Sequence, residues 1–276
     1  MRSRRKVAAA PTAFQKAPRD GYLSRVMPAT DEHEAREASA AAAGAAGKRA
    51  YVQRMFSDIA HSYDLLNRLL SMGVDRLWRR TALAKLGWER TPDGTYLDLC
   101  AGTLDVATAL SGRRGFTGRI IGADFAEPML RAGRAKVTGR PITPVVADAL
   151  SLPMATGTLS GAIVAFGIRN VADLDACLRE VRRTLKPGAR FVILEFSTPR
   201  SALVRAVYHA YFHHVLPFIG GLVSGHKTAY TYLPDSVKSF PETTVLADRM
   251  KAAGYTDVQW RALTFGIAAV HVGTNG

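Results

Sequence analysis

The stretch Tyr96-Leu97-Asp98-Leu99-Cys100-Ala101-Gly102-Thr103-Leu104-Asp105 decides the fold. Tyr96–Cys100 has the length and apolarity of a buried strand, and a helix is expected to begin at Asp105. Between them Gly102 makes a turn in which backbone can approach a ligand. The next strand, Arg119–Asp124, ends on a carboxylate 22 residues after Gly102. In an open α/β sheet, ligands sit beyond the carboxyl ends of such strands. Asp124 is therefore placed to accept hydrogen bonds from the two hydroxyls of a ribose. NAD would also need a G-x-G-x-x-G turn that presents a helix N-terminus to its pyrophosphate. Only one glycine stands here, so an adenosyl ligand without a pyrophosphate fits better.

Further along, strands and helices keep alternating. A helix through Met129, Leu130 and Ala135 precedes a strand at Thr143–Ala147, and Ala162–Phe166 reads as another. Asp173–Leu185 is expected as a helix stopped by Pro187-Gly188, followed by a strand at Arg190–Phe196. Such alternation predicts a mostly parallel, doubly wound sheet. Asp257–Leu263 and Gly266–Val272 leave no room for a helix between them, so an antiparallel hairpin is expected at the sheet edge. The third strand runs into Ala147-Asp148-Ala149. Asp148 can hold an adenine amino group and the Ala149 amide a ring nitrogen; equally, Asp148 can serve only as a local cap.

Ahead of the sheet, Tyr51, Met55, Ile59 and Tyr63 recur every four residues, as on an amphipathic helix. Ser71-Met72-Gly73 interrupts the pattern, and a second helix carries Leu77, Trp78 and Leu83 up to Gly87. Residues 1–47 differ: six basic residues and no acid in the first nineteen, then an Ala/Gly run over Ala38–Gly47. They are expected to be a disordered tail, a translated extension with Met27 as the true start, or a targeting segment. Residues 48–276 are expected to form a single domain, with an N-terminal helical cap and a substrate-side insertion at 200–240.

The formal charge is +14, of which residues 1–50 hold +5. A basic surface suits nucleic acid and anionic membrane equally. No nucleic-acid-binding motif accompanies it, so no nucleic-acid partner is expected. No apolar run reaches the roughly 18–20 residues that span a bilayer, which leaves peripheral membrane contact open. Cys100 and Cys177 make neither a disulfide framework nor a zinc site, so no metal is expected and a reducing compartment is. The cytoplasm, with contact at the inner membrane face, comes before the mitochondrial matrix. His209 and His213 have metal-ligand spacing but read better as a solvated face. The stripe Leu203, Val207, Tyr211, Val215 reads as core before it reads as an interfacial surface.

Several stretches together resemble the C-methyltransferase family of ubiquinone and menaquinone biosynthesis. They are Met55–Asn67, Ser71–Arg79, Phe166-Gly167-Ile168-Arg169-Asn170-Val171, Leu185–Gly188, Leu194–Pro199, Leu216–Gly220, Ala229–Ser236 and Ser239–Pro241. The likeness runs from about Tyr51 to Gly273. It implies a class I, S-adenosylmethionine-dependent methyltransferase fold of seven strands and methyl transfer to a ring carbon of a polyprenylated quinol. The cofactor residues it implies are Gly102 and Thr103 in the turn, Asp124 and Phe125 at the ribose, and Asp148 with Ala149 at the adenine. Two positions depart from the family: Leu104 stands where glycine is usual, and Ala165 where serine is frequent.

A ring carbon becomes nucleophilic when a quinol hydroxyl loses its proton, and a donor nearby stabilises the oxyanion. Arg169 and Asn170, just past a strand end, are the candidates. Their alternative is a structural turn paired with Asp173 or Glu195. For the base, Tyr63, Asp64, Asp105 and a water relayed through one of them stay open. A homodimer and a biosynthetic complex both remain compatible. Three rivals stand beside this reading: a non-catalytic cofactor- or quinone-binding partner, an NAD-dependent oxidoreductase, and an RNA methyltransferase.

Overall fold

Seven strands form one sheet in the computed structural model, which describes residues 31–44, 47–61, 63–65, 71, 73–210 and 227–276. In chain order they are β1 (Thr95–Leu99), β2 (Arg119–Asp124), β3 (Ile142–Val146), β4 (Leu159–Ala165), β5 (Leu185–Phe196), β6 (Tyr255–Leu263) and β7 (Ala268–Asn275). Their order across the sheet is β3-β2-β1-β4-β5-β7-β6. β1 to β5 pair in parallel, while β7 runs antiparallel to both β5 and β6. The expected class I architecture and edge hairpin are thus present. The order turns back between β1 and β4, which opens a crevice beyond their carboxyl ends.

The helices are α1 (Asp31–Ala42), α2 (Lys48–Ile59), α3 (Asp75–Leu86), α4 (Asp105–Ser111), α5 (Glu127–Val137), α6 (Leu174–Thr184), α7 (Ala202–Ala210), α8 (Lys227–Ser239) and α9 (Thr243–Ala252). Side chains alternate between the two faces of the strands and build a core on each. On one face Tyr96, Ile163, Val192 and Leu194 pack with Trp78, Leu83 and Leu86 of α3 and with Leu110. On the other, Leu97, Leu99, Val164, Phe191 and Ile193 pack with Leu178 and Val181 of α6 and with Leu246 and Met250 of α9. α3 stops at Gly87, whose φ of 73° is the left-handed cap that glycine adopts without strain.

Two expectations shift. α6 ends at Thr184 and the chain passes at once into β5, so Pro187-Gly188 lies within the strand rather than stopping the helix. Asp173 starts that helix, its side chain accepting from the Ala176 amide at 2.9 Å. The expected end of the tail at residue 47 also misses α1. Ala38, Ala41 and Ala42 are buried against Tyr51, Val52 and Tyr232, and Glu37 pairs with Arg54. Alanines read from composition as a featureless run; on a helix they form a smooth face that lets α8 approach closely. The His209/His213 pair and the stripe from Leu203 to Val215 run into residues 211–226, outside the described residues. Of the stripe, only the Leu203 side chain is described.

Candidate active site

A cleft of about 720 Å³, counting the solvent-facing space at its mouth, lies beyond the carboxyl ends of β1, β2, β3 and β4. Each strand end contributes to it: Leu99, Cys100 and Gly102 after β1, Ala123–Phe125 after β2, Ala147–Ala149 after β3, and Ala165–Gly167 with Asn170 after β4. Backbone strain concentrates on this rim. Cys100 (φ 51°), Leu104 (φ 67°) and Phe166 (φ 62°) all adopt the left-handed region. Non-glycine residues persist there only where the surrounding structure holds them.

Asp124 anchors the centre. Its Oδ2 accepts from the Gly102 amide at 2.8 Å and its Oδ1 from the Ala126 amide at 2.9 Å. These contacts tie the glycine turn to the end of β2. A carboxylate offers about four lone-pair directions, so each oxygen keeps acceptor capacity for a diol. Burial raises the carboxyl above its ordinary value, while the amides of Ala126, Gly102 and Phe125 act in the opposite sense. Gly102 itself is a cradle. A Cβ there would sit 3.3 Å from the Met129 methyl and 3.9 Å from the Tyr63 ring. Beneath the turn, Asp98 accepts from the Ala107 amide at 2.8 Å, and burial lifts its carboxyl to about 8.

Leu104 takes the backbone conformation that glycine would favour, and its side chain points away from the cleft. It is fully buried in the core between the sheet and the helices. Its place is made by Gly122 on β2, where a Cβ would lie 2.3 Å from Leu104 Cδ2. The departure at Leu104 therefore leaves the cleft clear. Leu104→Gly should change cofactor affinity less than about tenfold, or ~1.4 kcal/mol. It should also lower stability by roughly 1–4 kcal/mol, because loss of the buried side chain outweighs relief of backbone strain. Calorimetry and thermal unfolding on one preparation measure both. A hundredfold rise in affinity would show that Leu104 obstructs the site.

Of the cofactor residues expected from sequence, Gly102, Asp124, Phe125, Asp148 and Ala149 line the cleft. Thr103 does not. Its hydroxyl donates to Asp64 at 2.6 Å and accepts from Lys136 at 3.0 Å, so it braces the turn from behind. Lys136 also pairs with Asp64 at 2.5 Å and with Asp105 at 2.6 Å, and Arg79 reaches Asp105 at 2.9 Å. Asp105 is thereby neutralised between two cations outside the cleft, a poor place for a base.

Of the catalytic candidates, Tyr63 and Asn170 line the cleft and Arg169 lies behind it. Arg169 Nη1 pairs with Glu195 at 2.8 Å, with both side chains buried, and Nη1 also reaches the Phe166 carbonyl. Its Nε donates to Ser236 at 3.3 Å. The alternative reading, a structural turn paired with Glu195, describes Arg169. Asn170 Oδ1 accepts from Tyr232 at 3.0 Å, which leaves the amide hydrogens as the donors of that side chain. Burial pushes the Tyr232 hydroxyl up to about 12, so it stays a donor at neutral pH.

The first helix turns of the cap were not assigned to the site from sequence. Lys48 donates to the Arg169 carbonyl at 2.8 Å, Gln53 to the Phe125 carbonyl at 3.2 Å, and Arg49 pairs with Asp148 at 3.1 Å. α2 thus bridges three strand-end loops over the cleft, with Phe56 and Arg49 in its lining. A helical period reveals which face of α2 is apolar; it carries no signal for which loops its polar side chains reach.

Comparison with known proteins agrees with this geometry. Solved structures of similar fold include the putative methyltransferase bound to the Trm112 activator of Haloferax volcanii, at a TM-score of 0.58 and 17% identity over 80% of this chain and 97% of that one. Another is a possible histamine N-methyltransferase of Thermotoga maritima, at 0.54 and 18% over 80% and 100%. Among curated relatives, a demethylmenaquinone methyltransferase of Thermus thermophilus is 48% identical over 79% of this chain and 99% of its own length. A ubiquinone/menaquinone biosynthesis C-methyltransferase of Geobacter sulfurreducens is 47% identical over 82% and 88%. Residues 45–275, nearly all of the chain that builds the sheet and its cap, match one family. The chain belongs to the ubiE/COQ5 methyltransferase family.

Proposed function

We propose that this chain transfers the methyl group of S-adenosylmethionine to a ring carbon of a polyprenylated quinol, converting demethylmenaquinol to menaquinol. The benzoquinol step of ubiquinone biosynthesis is the second reading, favoured by the relatives whose name covers both pathways. What carries the proposal is one cleft lined both by Asp124, with its spare acceptor capacity beside the glycine turn, and by Asn170, whose amide oxygen is already taken by Tyr232.

In this reading the Asp124 carboxylate takes the ribose hydroxyls, Phe125 flanks them, and Asp148 with the Ala149 amide takes the adenine edge. Arg49 then exchanges part of its pairing with Asp148 as the ligand enters. When bound, the cofactor supplies an electrophilic methyl on a sulfonium. The protein's part is alignment, which can be worth ~7–11 kcal/mol, and stabilisation of the quinol oxyanion. The Asn170 amide donates to that oxyanion. Tyr63, over the Gly102 turn, closes the cleft and relays the departing proton through water. Arg169 acts from behind, holding the Ile168–Asn170 turn through its pair with Glu195. The proposed setting is the cytoplasm, at the membrane face where such quinols reside.

Gene removal separates the two substrates. We expect demethylmenaquinone to accumulate in the source organism and complementation to restore menaquinone. Accumulation of a demethylated benzoquinone alone would assign the second reading.

A further inference from the structure

The turn that carries Asn170 is held from the cap at several points, and one of them is the Asn170 side chain itself. Lys48 on α2 bonds the Arg169 carbonyl, and Ser236 on α8 accepts from Arg169 Nε. Tyr232, four residues before Ser236, donates instead to Asn170 Oδ1 at 3.0 Å. An asparagine amide has two ends of similar shape and opposite polarity. With the oxygen engaged by a donor, the nitrogen is the end left for the cleft that Asn170 lines. Burial keeps the Tyr232 hydroxyl protonated across the neutral range, so it remains that donor.

What encloses Tyr232 lies partly ahead of the residues that match the family. The match begins at residue 45, and α1 ends at Ala42. Ala38, Ala41 and Ala42 are spaced three and four apart, so they share one face of α1. They are buried in one cluster with Tyr232, and their small side chains let α1 lie along α8. On the other side, the Tyr51 ring of α2 packs 5.6 Å from that of Tyr232. Tyr232 is 1% exposed as a result. A ring enclosed in this way has one rotamer available, which fixes where its hydroxyl points. The Glu37–Arg54 pair also ties α1 to α2, but both side chains are exposed and it contributes little.

We propose that Tyr232 is a positioning residue for methyl transfer and that α1 is the clamp that holds it. α1 encloses Tyr232, Tyr232 orients the Asn170 amide, and that amide meets the quinol oxyanion donor-first. The inference rests on the quinol reading above, which gives Asn170 its role. Neither Tyr232 nor any described residue of α1 lines the cleft, so both should act on turnover rather than on cofactor binding.

Two substitutions in the full chain test it. Tyr232→Phe removes the hydroxyl and keeps the ring, while Ala38→Gln keeps a good helix former but holds α1 away from α8. Each should lower kcat on a short-chain demethylated naphthoquinol about tenfold or more. S-adenosylmethionine affinity and quinol KM should stay within about twofold, as for an interaction felt only in the transition state. The double variant should be no slower than the slower single one, because both act through one contact. The isotope-labelled side-chain amide signals of Asn170 should shift or broaden in both variants. Wild-type kcat in Tyr232→Phe, unmoved Asn170 signals, or an equal loss of cofactor affinity and kcat overturns the positioning role. Normal kcat in Ala38→Gln, or effects that multiply in the double variant, overturns the clamp. Wild type that binds the cofactor but never methylates the quinol would instead sink the quinol reading. The Asn170 signals would then still decide whether Tyr232 and α1 orient that side chain.

Discussion

Asp124→Ala is expected to weaken S-adenosylmethionine binding by a factor on the order of 10²–10⁴. The wild-type carboxylate has two oxygens, held by backbone amides that include those of Gly102 and Ala126, and retains capacity for the ribose hydroxyls. Removing it abolishes two charge-assisted hydrogen bonds at roughly 1.5–3 kcal/mol each, and the fold-change follows from their sum. The mutant also frees the Gly102 and Ala126 amides, so part of the loss comes from a looser turn. Asp124→Asn separates the contributions, since it keeps the shape and one acceptor oxygen. It should lie between wild type and alanine. Calorimetric titration of folded variants is the measurement, and unchanged affinity in Asp124→Ala would place the ribose elsewhere.

The second large effect concerns stability. Glu195→Ala leaves the Arg169 guanidinium buried without its carboxylate. Burial opposes the charge on Arg169, but Glu195 together with Tyr232 and Tyr63 outweighs it, so the proton is held more firmly than usual. Breaking such a pair from one side typically costs 3–5 kcal/mol, or roughly 6–20 °C in melting temperature for a chain of this size. The loss should spread to α8, because Arg169 also bonds Ser236 and its neighbour Asn170 bonds Tyr232. Replacing both partners, as Arg169→Met/Glu195→Met, should cost less than Glu195→Ala alone, because neither charge is then stranded. Equal or greater loss in the double variant would mean that the pair itself, rather than the orphaned cation, carries the stability.

The sheet was legible because its signals are local. β2 was delimited from sequence to the residue, Arg119–Asp124, since an apolar run ends there on a carboxylate. The hairpin of β6 and β7 followed from spacing alone. Gly102, Asp124 and Asp148 were legible as cleft residues for a related reason: strand ends converge on one edge, so the turns and carboxylates at those ends line one cleft. Thr103 and Asp105 show where this logic stops. They are next to the site in sequence, but the partners that turn them away, Lys136 on α5 and Arg79 on α3, are distant in the chain. Arg169 is similar: Glu195 was one of two structural partners offered by the sequence, and only the packed structure selects it and leaves Arg169 out of the cleft lining. The alanine face of α1 escaped because burial of alanine depends on what packs over it, here Tyr232.

The central claim is that this cleft joins cofactor and quinol for carbon methylation. It is tested most directly by mixing purified protein, S-adenosylmethionine with an isotopically labelled methyl, and a short-chain demethylated naphthoquinol under reducing conditions. The account predicts one labelled methyl per quinol, attached to ring carbon by NMR, with turnover largely lost in Asp124→Ala and diminished in Asn170→Ala. Tight cofactor binding without any transfer, or a label attached to oxygen, would contradict it.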